Sequence, residues 1–294
     1  MDGAPPLPAL HRTQSLPRTG ESETNPRPHA IPKGEGQAQG QGEREGAGPA
    51  HIAYALRLGD DALILGQRLS EWCGHAPALE VDLSLANFAL DLVGQATSFL
   101  GHAGALEGEG RDADALAFHR DVLDFTNCLM VEQPNGDFGQ TIARQFLFST
   151  WQQLLYERLA ASSDPTLAAI AAKGVKEVAY HAEVSADWVI RLGDGTEESG
   201  RRMAAGLEWH WRFVDELFEP ADAALVAAGI AVDAPALRPT WDLAIAAVLA
   251  QANLATPAPR RAVSGGRKGH HSEHLGHLLA TMQHLPRSYP GAKW

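Results

Sequence analysis

The sequence predicts an all-α fold, a four-helix bundle with additional C-terminal helices. Three observations carry this expectation. From Ile52 onward apolar residues recur at helical spacing, and no segment shows the period-two alternation of a half-buried strand. Turn-forming residues punctuate that pattern at 74–77, 132–137 and 193–196. The stretch 82–100 is apolar around most of its circumference, which suits a helix at the centre of a bundle.

The elements follow in order. Tyr54, Leu58, Leu65, Leu69 and Trp72 share one face of a first helix, which Gly74 and Pro77 end. A second helix over about 82–101 carries Leu83, Leu85, Phe88, Leu90, Leu92, Val93, Phe99 and Leu100. A more polar helix is expected over about 112–130, with Leu116, Val122, Phe125 and Leu129 on its apolar face. Pro134, Asn135, Gly136 and Asp137 then form a compact turn before a third core helix over about 138–160. Asp164 as N-cap and Pro165 at the first helical position start the fourth, which runs to about 192. Shorter helices are expected over 199–217, 221–229 and 235–254. A long connection over 255–269 leads to a last helix over about 271–284.

Composition divides the 294 residues in two. Residues 1–50 are rich in Pro, Gly, Gln and Ser, lack apolar periodicity, and read as a disordered low-complexity extension without the apolar run of a secretory signal. Residues 51–294 form the helical domain. Apolar content is 45%, yet no run of about twenty apolar residues marks a membrane span. A net charge of −12 disfavours nucleic acid as a partner. The two cysteines, Cys73 and Cys128, make no disulfide framework or zinc motif, and sit in apolar contexts suited to core packing. A cytoplasmic protein with no membrane and no nucleic-acid partner is expected.

The chemistry centres on Gln95. Two inward-facing helices that each carry Glu-x-x-His would form the core of a di-iron carboxylate bundle. The corresponding stretches here read Leu92-Val-Gly-Gln95 and Val178-Ala-Tyr-His181. Asp91 and Gln95 are four apart, as are Glu177 and His181, so each pair shares a helix face. One reading is a relaxed metal site of Asp91, Glu177 and His181. The other, favoured because a neutral Gln is a poor iron ligand and Leu92 and Val178 carry no donor, is a buried polar cluster in which Lys173 or Lys176 pairs with those carboxylates.

Two further features stand near the C-terminus. His270, His274 and His277 share a helix face, with His271 and Glu273 among them, and would suit zinc or nickel. Three ligands from one helix rarely converge on one ion, so surface or interface histidines are the expectation. In the glycine-rich run at 265–269, Arg267 and Lys268 are candidate phosphate contacts, set against a flexible loop ordered by a partner chain. No Gly-x-Ser-x-Gly motif supports a hydrolase.

From about Tyr54 to Trp294 the chain closely resembles the C-subunit family of bacterial ring 1,2-phenylacetyl-CoA epoxidases, the multicomponent phenylacetate-CoA oxygenases. The residues that carry the resemblance are Leu56-Arg-Leu-Gly-Asp60, Glu71-Trp-Cys-Gly-His-Ala-Pro77, Val131-Glu-Gln-Pro-Asn-Gly136, Ile142-Ala-Arg144, Val175-Lys-Glu177 with Tyr180-His181, Gly229-Ile-Ala-Val-Asp233 and Ser272-Glu-His-Leu-Gly276. It implies a ferritin-like bundle. The catalytic A subunits of such enzymes carry Asp-Glu-Ala-Gly-His and Lys-Glu-Glu-Ser-Phe-His, which fall here on Asp91-Leu-Val-Gly-Gln95 and Lys176-Glu-Val-Ala-Tyr-His181. Former ligand positions thus fall on Leu92, Gln95, Val178 and His181, and on the first and third core helices near Ala62 and Ser149.

The resemblance implies a non-catalytic structural subunit that binds no cofactor itself and docks onto the di-iron A subunit. The whole complex would insert one oxygen atom of O2 into the aromatic ring of phenylacetyl-CoA. Its electrons would come from NADPH through a reductase subunit holding FAD and a 2Fe-2S cluster. Other subunits of the complex, and phenylacetyl-CoA through it, are the implied partners. A self-sufficient di-iron oxygenase with relaxed ligands and a ferritin-like metal-binding protein are the alternatives.

Overall fold

Four long helices of the computed structural model, which describes residues 48–292, carry the core. They are α1 (Pro49–Ser70), α2 (Leu79–Glu107), α5 (Phe138–Leu159) and α6 (Pro165–Gly193). Between α2 and α5 lie short α3 (Ala113–Phe118) and α4 (Leu129–Glu132); after α6 come α7 (Glu197–Trp211), α8 (Val214–Leu217), α9 (Ala223–Ala227), α10 (Arg238–Gln251), α11 (Glu273–Met282) and α12 (His284–Ser288). No strand occurs among the described residues, and no described helix is long and apolar enough to cross a membrane. The expected extension over 1–50 lies outside the described residues up to position 47, and α1 already begins at Pro49.

Caps place the long helices where the sequence puts them. The Asp137 carboxylate accepts from the Gln140 amide to start α5, and Asp164 accepts from the Thr166 and Leu167 amides to start α6. Gly108, left-handed at φ 73°, closes α2. α1 packs chiefly on α2, α5 on α6, and α7 and α10 lean on the second pair. The centre is filled by Phe88, Phe99, Phe146, Phe148, Trp151 and Trp241, all essentially inaccessible.

The expected single helix over 112–130 is absent. α3 gives way to a 3-10 turn at Val122–Asp124 and an extended stretch before α4. The cause is a set of buried carboxylates that capture the amides a helix would have bonded internally. Asp60 accepts from the Thr126 amide and hydroxyl (2.8 and 3.0 Å) and pairs with Arg120; Asp61 takes the Cys128 amide (2.8 Å) and Glu216 the Leu129 amide (2.6 Å). Tertiary bonding overrides the local pattern here.

The expected helix over 199–217 is likewise split, into α7 and α8, whereas the helix expected over about 271–284 stands as α11, with short α12 following it. Nor is α2 buried on all sides. Leu85, Phe88, Leu92 and Phe99 face the core, while Leu79, Leu83 and Leu90 are 71%, 58% and 70% exposed.

One close approach sets a limit on sequence. A Cβ at Gly104 would collide with the Arg111 carbonyl oxygen, because the chain returns tightly over the end of α2. Gly104→Ala is therefore expected to lower unfolding free energy by about 1–3 kcal/mol. Urea unfolding measures this; an unchanged midpoint would show that the 108–112 turn yields freely.

Candidate functional site

α2, α5 and α6 converge on Gln95, whose residue is only 4% exposed. Its amide nitrogen donates to Glu177 Oε2 (2.9 Å), and its oxygen accepts from the Tyr156 hydroxyl (2.9 Å) and Gln152 Nε2 (3.1 Å). Gln152 also donates to the Tyr156 hydroxyl (3.2 Å). Burial holds the Tyr156 phenol well above its ordinary range, so it stays protonated and donates. Gln95→Leu would strand the Tyr156 hydroxyl and Glu177, and is expected to cost about 1–3 kcal/mol of stability. Chemical denaturation checks this; a neutral effect would mean that solvent already satisfies those groups.

The other family-matched positions surround this network. Leu92 and Val178 are fully buried and apolar, and so is Ala62. The buried Ser149 hydroxyl donates to the Gln145 carbonyl (2.6 Å) and meets the Ser185 hydroxyl (3.2 Å). His181 is sealed from solvent, its Nε2 3.0 Å from Asp91 Oδ2 and its ring against Phe88 with centroids 4.1 Å apart. Burial lowers the His181 pKa despite Asp91, so the imidazole is neutral and its Nε2–H donates.

These residues do not fit a di-iron centre. Such a centre needs several inward carboxylates to balance two metal charges, whereas the positions here present an amide, an alcohol, one imidazole and aliphatic carbon. The orphaned buried atoms nearby on the same helices, the Gln145 amide and His181 Nδ1, are neutral as well. Asp91, Glu177 and His181 are drawn into two separate bonds, Asp91 to His181 and Glu177 to Gln95.

The lysine plug expected from the sequence is also absent. Lys173 and Lys176 are both solvent-exposed, and neither pairs with Asp91 or Glu177. Gln95, Gln152 and Tyr156 occupy that role instead, because neutral groups can satisfy one another inside without the desolvation cost of an ammonium. A cleft of about 360 Å³ between α2 and α6, lined by Leu90, Asp91, Gln95, Lys173 and Glu177, leads from the surface to this network.

The C-terminal candidates resolve differently from one another. The Arg267 side chain is only 5% exposed, its guanidinium bonded twice to Asp61 (2.8 and 2.7 Å) and once to the Thr126 carbonyl (3.2 Å). It is thus committed internally, not free for a phosphate. Glu216 Oε1 accepts from the Gly265 and Arg267 amides, so this chain itself orders the loop expected to need a partner. Lys268 is exposed and lines a cavity of about 270 Å³ with Arg57 and Arg267. Sequence reasoning passed over Arg57, which is 9% exposed and held down to about 10 by burial and then by Arg267.

The histidines near α11 form no cluster of ligands. His270 and His277 are exposed, as expected of surface histidines. His271 instead turns inward, donating from Nδ1 to Glu132 Oε2 (2.7 Å) and from Nε2 to the Phe125 carbonyl (2.8 Å). Burial opposes its charge, but these two acceptors raise its pKa overall. Cys73 is exposed rather than core, while Cys128 is buried as expected.

A histidine with a raised folded pKa stabilises most below its unfolded pKa of about 6.5, and that stability is lost as pH rises through the folded value. The destabilisation caused by His271→Asn is therefore expected to be largest in mild acid and to shrink toward pH 9. Unfolding free energies of both proteins across that range test it. A difference independent of pH would show the ring bound as the neutral form.

Comparison with known proteins gives the family. The family model described as "PaaA_PaaC: Phenylacetic acid catabolic protein" matches residues 37–294. The chain is 52% identical over 244 residues to the C subunit of the 1,2-phenylacetyl-CoA epoxidase of Escherichia coli (strain K12), a match that covers 82% of this chain and 98% of that protein. With its all-α bundle and a family match over most of its length, the chain belongs to the phenylacetic acid catabolic protein family.

Proposed function

We propose that this chain is the non-catalytic C subunit of a ring 1,2-phenylacetyl-CoA epoxidase, which docks onto and stabilises the di-iron catalytic A subunit. The observation that carries the reading is Gln95, whose amide is bonded to Glu177, Tyr156 and Gln152 where an iron ligand would be needed. The near full-length similarity to the C subunit of the Escherichia coli epoxidase supports the same assignment. Di-iron belongs to the sister subunit in this account, and NADPH, FAD and the 2Fe-2S cluster to a reductase subunit.

Co-expression tests it. The A subunit is expected to gain solubility and epoxidase activity only when this chain is present, while this chain alone turns over no phenylacetyl-CoA. An A subunit equally active without it would sink the proposal.

A direct contribution to CoA binding is confined to Lys268, since Arg267 is held by Asp61. Lys268→Ala in the assembled complex is expected to weaken CoA-ester affinity at most a few-fold, the scale of an exposed charge. Unchanged affinity would end the idea of a phosphate contact at this loop.

A further inference from the structure

At the start of α1, three helices place two imidazoles and a carboxylate around one point. His51 Nε2, near the start of α1, and His102 Nε2, near the end of α2, each lie 2.8 Å from the same Asp164 oxygen, Oδ2, at the start of α6. The ligand atoms all fall within 4.8 Å of one another, and this is the only such group of three His, Cys, Asp or Glu among the described residues. The side chains of His51, His102 and Asp164 are 13%, 9% and 7% exposed, so the point is largely enclosed. His102 lies seven residues, about 10 Å along α2, from Gln95, so the cluster is separate from the family's metal position.

From this convergence we infer that His51, His102 and Asp164 form a site for a single divalent transition metal, zinc above all. Two imidazole nitrogens and one carboxylate oxygen are a donor set that zinc accepts, with a fourth tetrahedral position left to water. Asp164 is already oriented for the task. Its other oxygen, Oδ1, is fixed by the Thr166 and Leu167 amides (2.8 and 3.0 Å), which leaves Oδ2 aimed at both rings. Binding needs no redox change, and each ring would coordinate through Nε2 with its proton on Nδ1. The ion would tie the first turn of α1 to α2 and α6, fastening the N-terminal end of the bundle.

The alternative is a hydrogen-bonded brace, in which both rings donate to a helix-capping carboxylate and no metal enters. Titration of the chelator-treated full-length chain with Zn2+ separates the two. Wild type is expected to bind one equivalent tightly and to melt several degrees higher with the ion in excess. His51→Ala/His102→Ala is expected to lose that equivalent and the shift, while keeping any weak binding at exposed His270 and His277. Identical isotherms for the two proteins would overturn the inference. Co2+ added to the unmutated chain gives a reading that does not depend on the variant folding. The intense visible bands of a tetrahedral ion are expected, and a pale octahedral spectrum would likewise overturn it.

Discussion

Arg267→Met is expected to lower the unfolding free energy by about 3–5 kcal/mol, the largest single effect on stability in this account. The substitution leaves Asp61, whose side chain is 3% exposed, as an unpaired buried charge. Burial works against the Arg267 charge, but Asp61, with Cys128 and Glu216 behind it, keeps the pKa above its ordinary value. The pair also joins the 265–269 loop to α1, so its loss would loosen the C-terminal segment along with the core. Adding Asp61→Asn should recover part of the loss. The introduced amide carries no charge and can still accept from the Cys128 amide, and the non-additivity of the two changes gives the coupling. Denaturant unfolding of the four proteins measures it. A single-variant loss below about 1 kcal/mol would indicate a surface-like pair instead.

Leu83→Asp/Leu90→Asp is expected to weaken binding of the catalytic sister at least about 100-fold, or about 2.7 kcal/mol, while leaving the fold within about 0.5 kcal/mol of wild type. Leu79, Leu83 and Leu90 follow helical spacing along the outer face of α2, and Tyr180 of α6, half exposed, packs edge-on against Phe88 beneath it. Exposed leucines in this arrangement, on a family member proposed to work in a complex, suit a docking interface. Binding of the purified sister to each protein, with thermal unfolding as control, reads the outcome. Undiminished affinity would move the interface off α2.

The bundle was legible in the sequence because its long helices are specified locally. Asp164-Pro165 and the turn before Phe138 fix two starts, and the apolar spacing of Tyr54, Leu58, Leu65 and Leu69 fixes the face that α1 turns inward. The 112–130 region was not legible. Its shape depends on carboxylates contributed by Asp60, Asp61 and Glu216, from far away in the chain, and periodicity carries no information about such bonds. At the site, Gln95, Leu92 and Val178 could be read from their motif positions alone. The partners of Gln95 could not: Gln152 and Tyr156 sit four apart on α5, a pattern shared by many helix positions that face solvent. The lysine pairing failed for the same reason, since the orientation that turns Lys173 and Lys176 outward depends on how α6 packs, chiefly on α5. The trio His51, His102 and Asp164 is spread over 113 residues and offers no motif at all.

The most direct test of the central claim is the iron content of this chain, purified alone after expression in iron-replete medium, with folding confirmed by helical circular dichroism. A folded protein with essentially no iron is the expected result. About two irons per chain, the load of an intact di-iron bundle, would contradict it and return the chain to the ranks of the oxygenases.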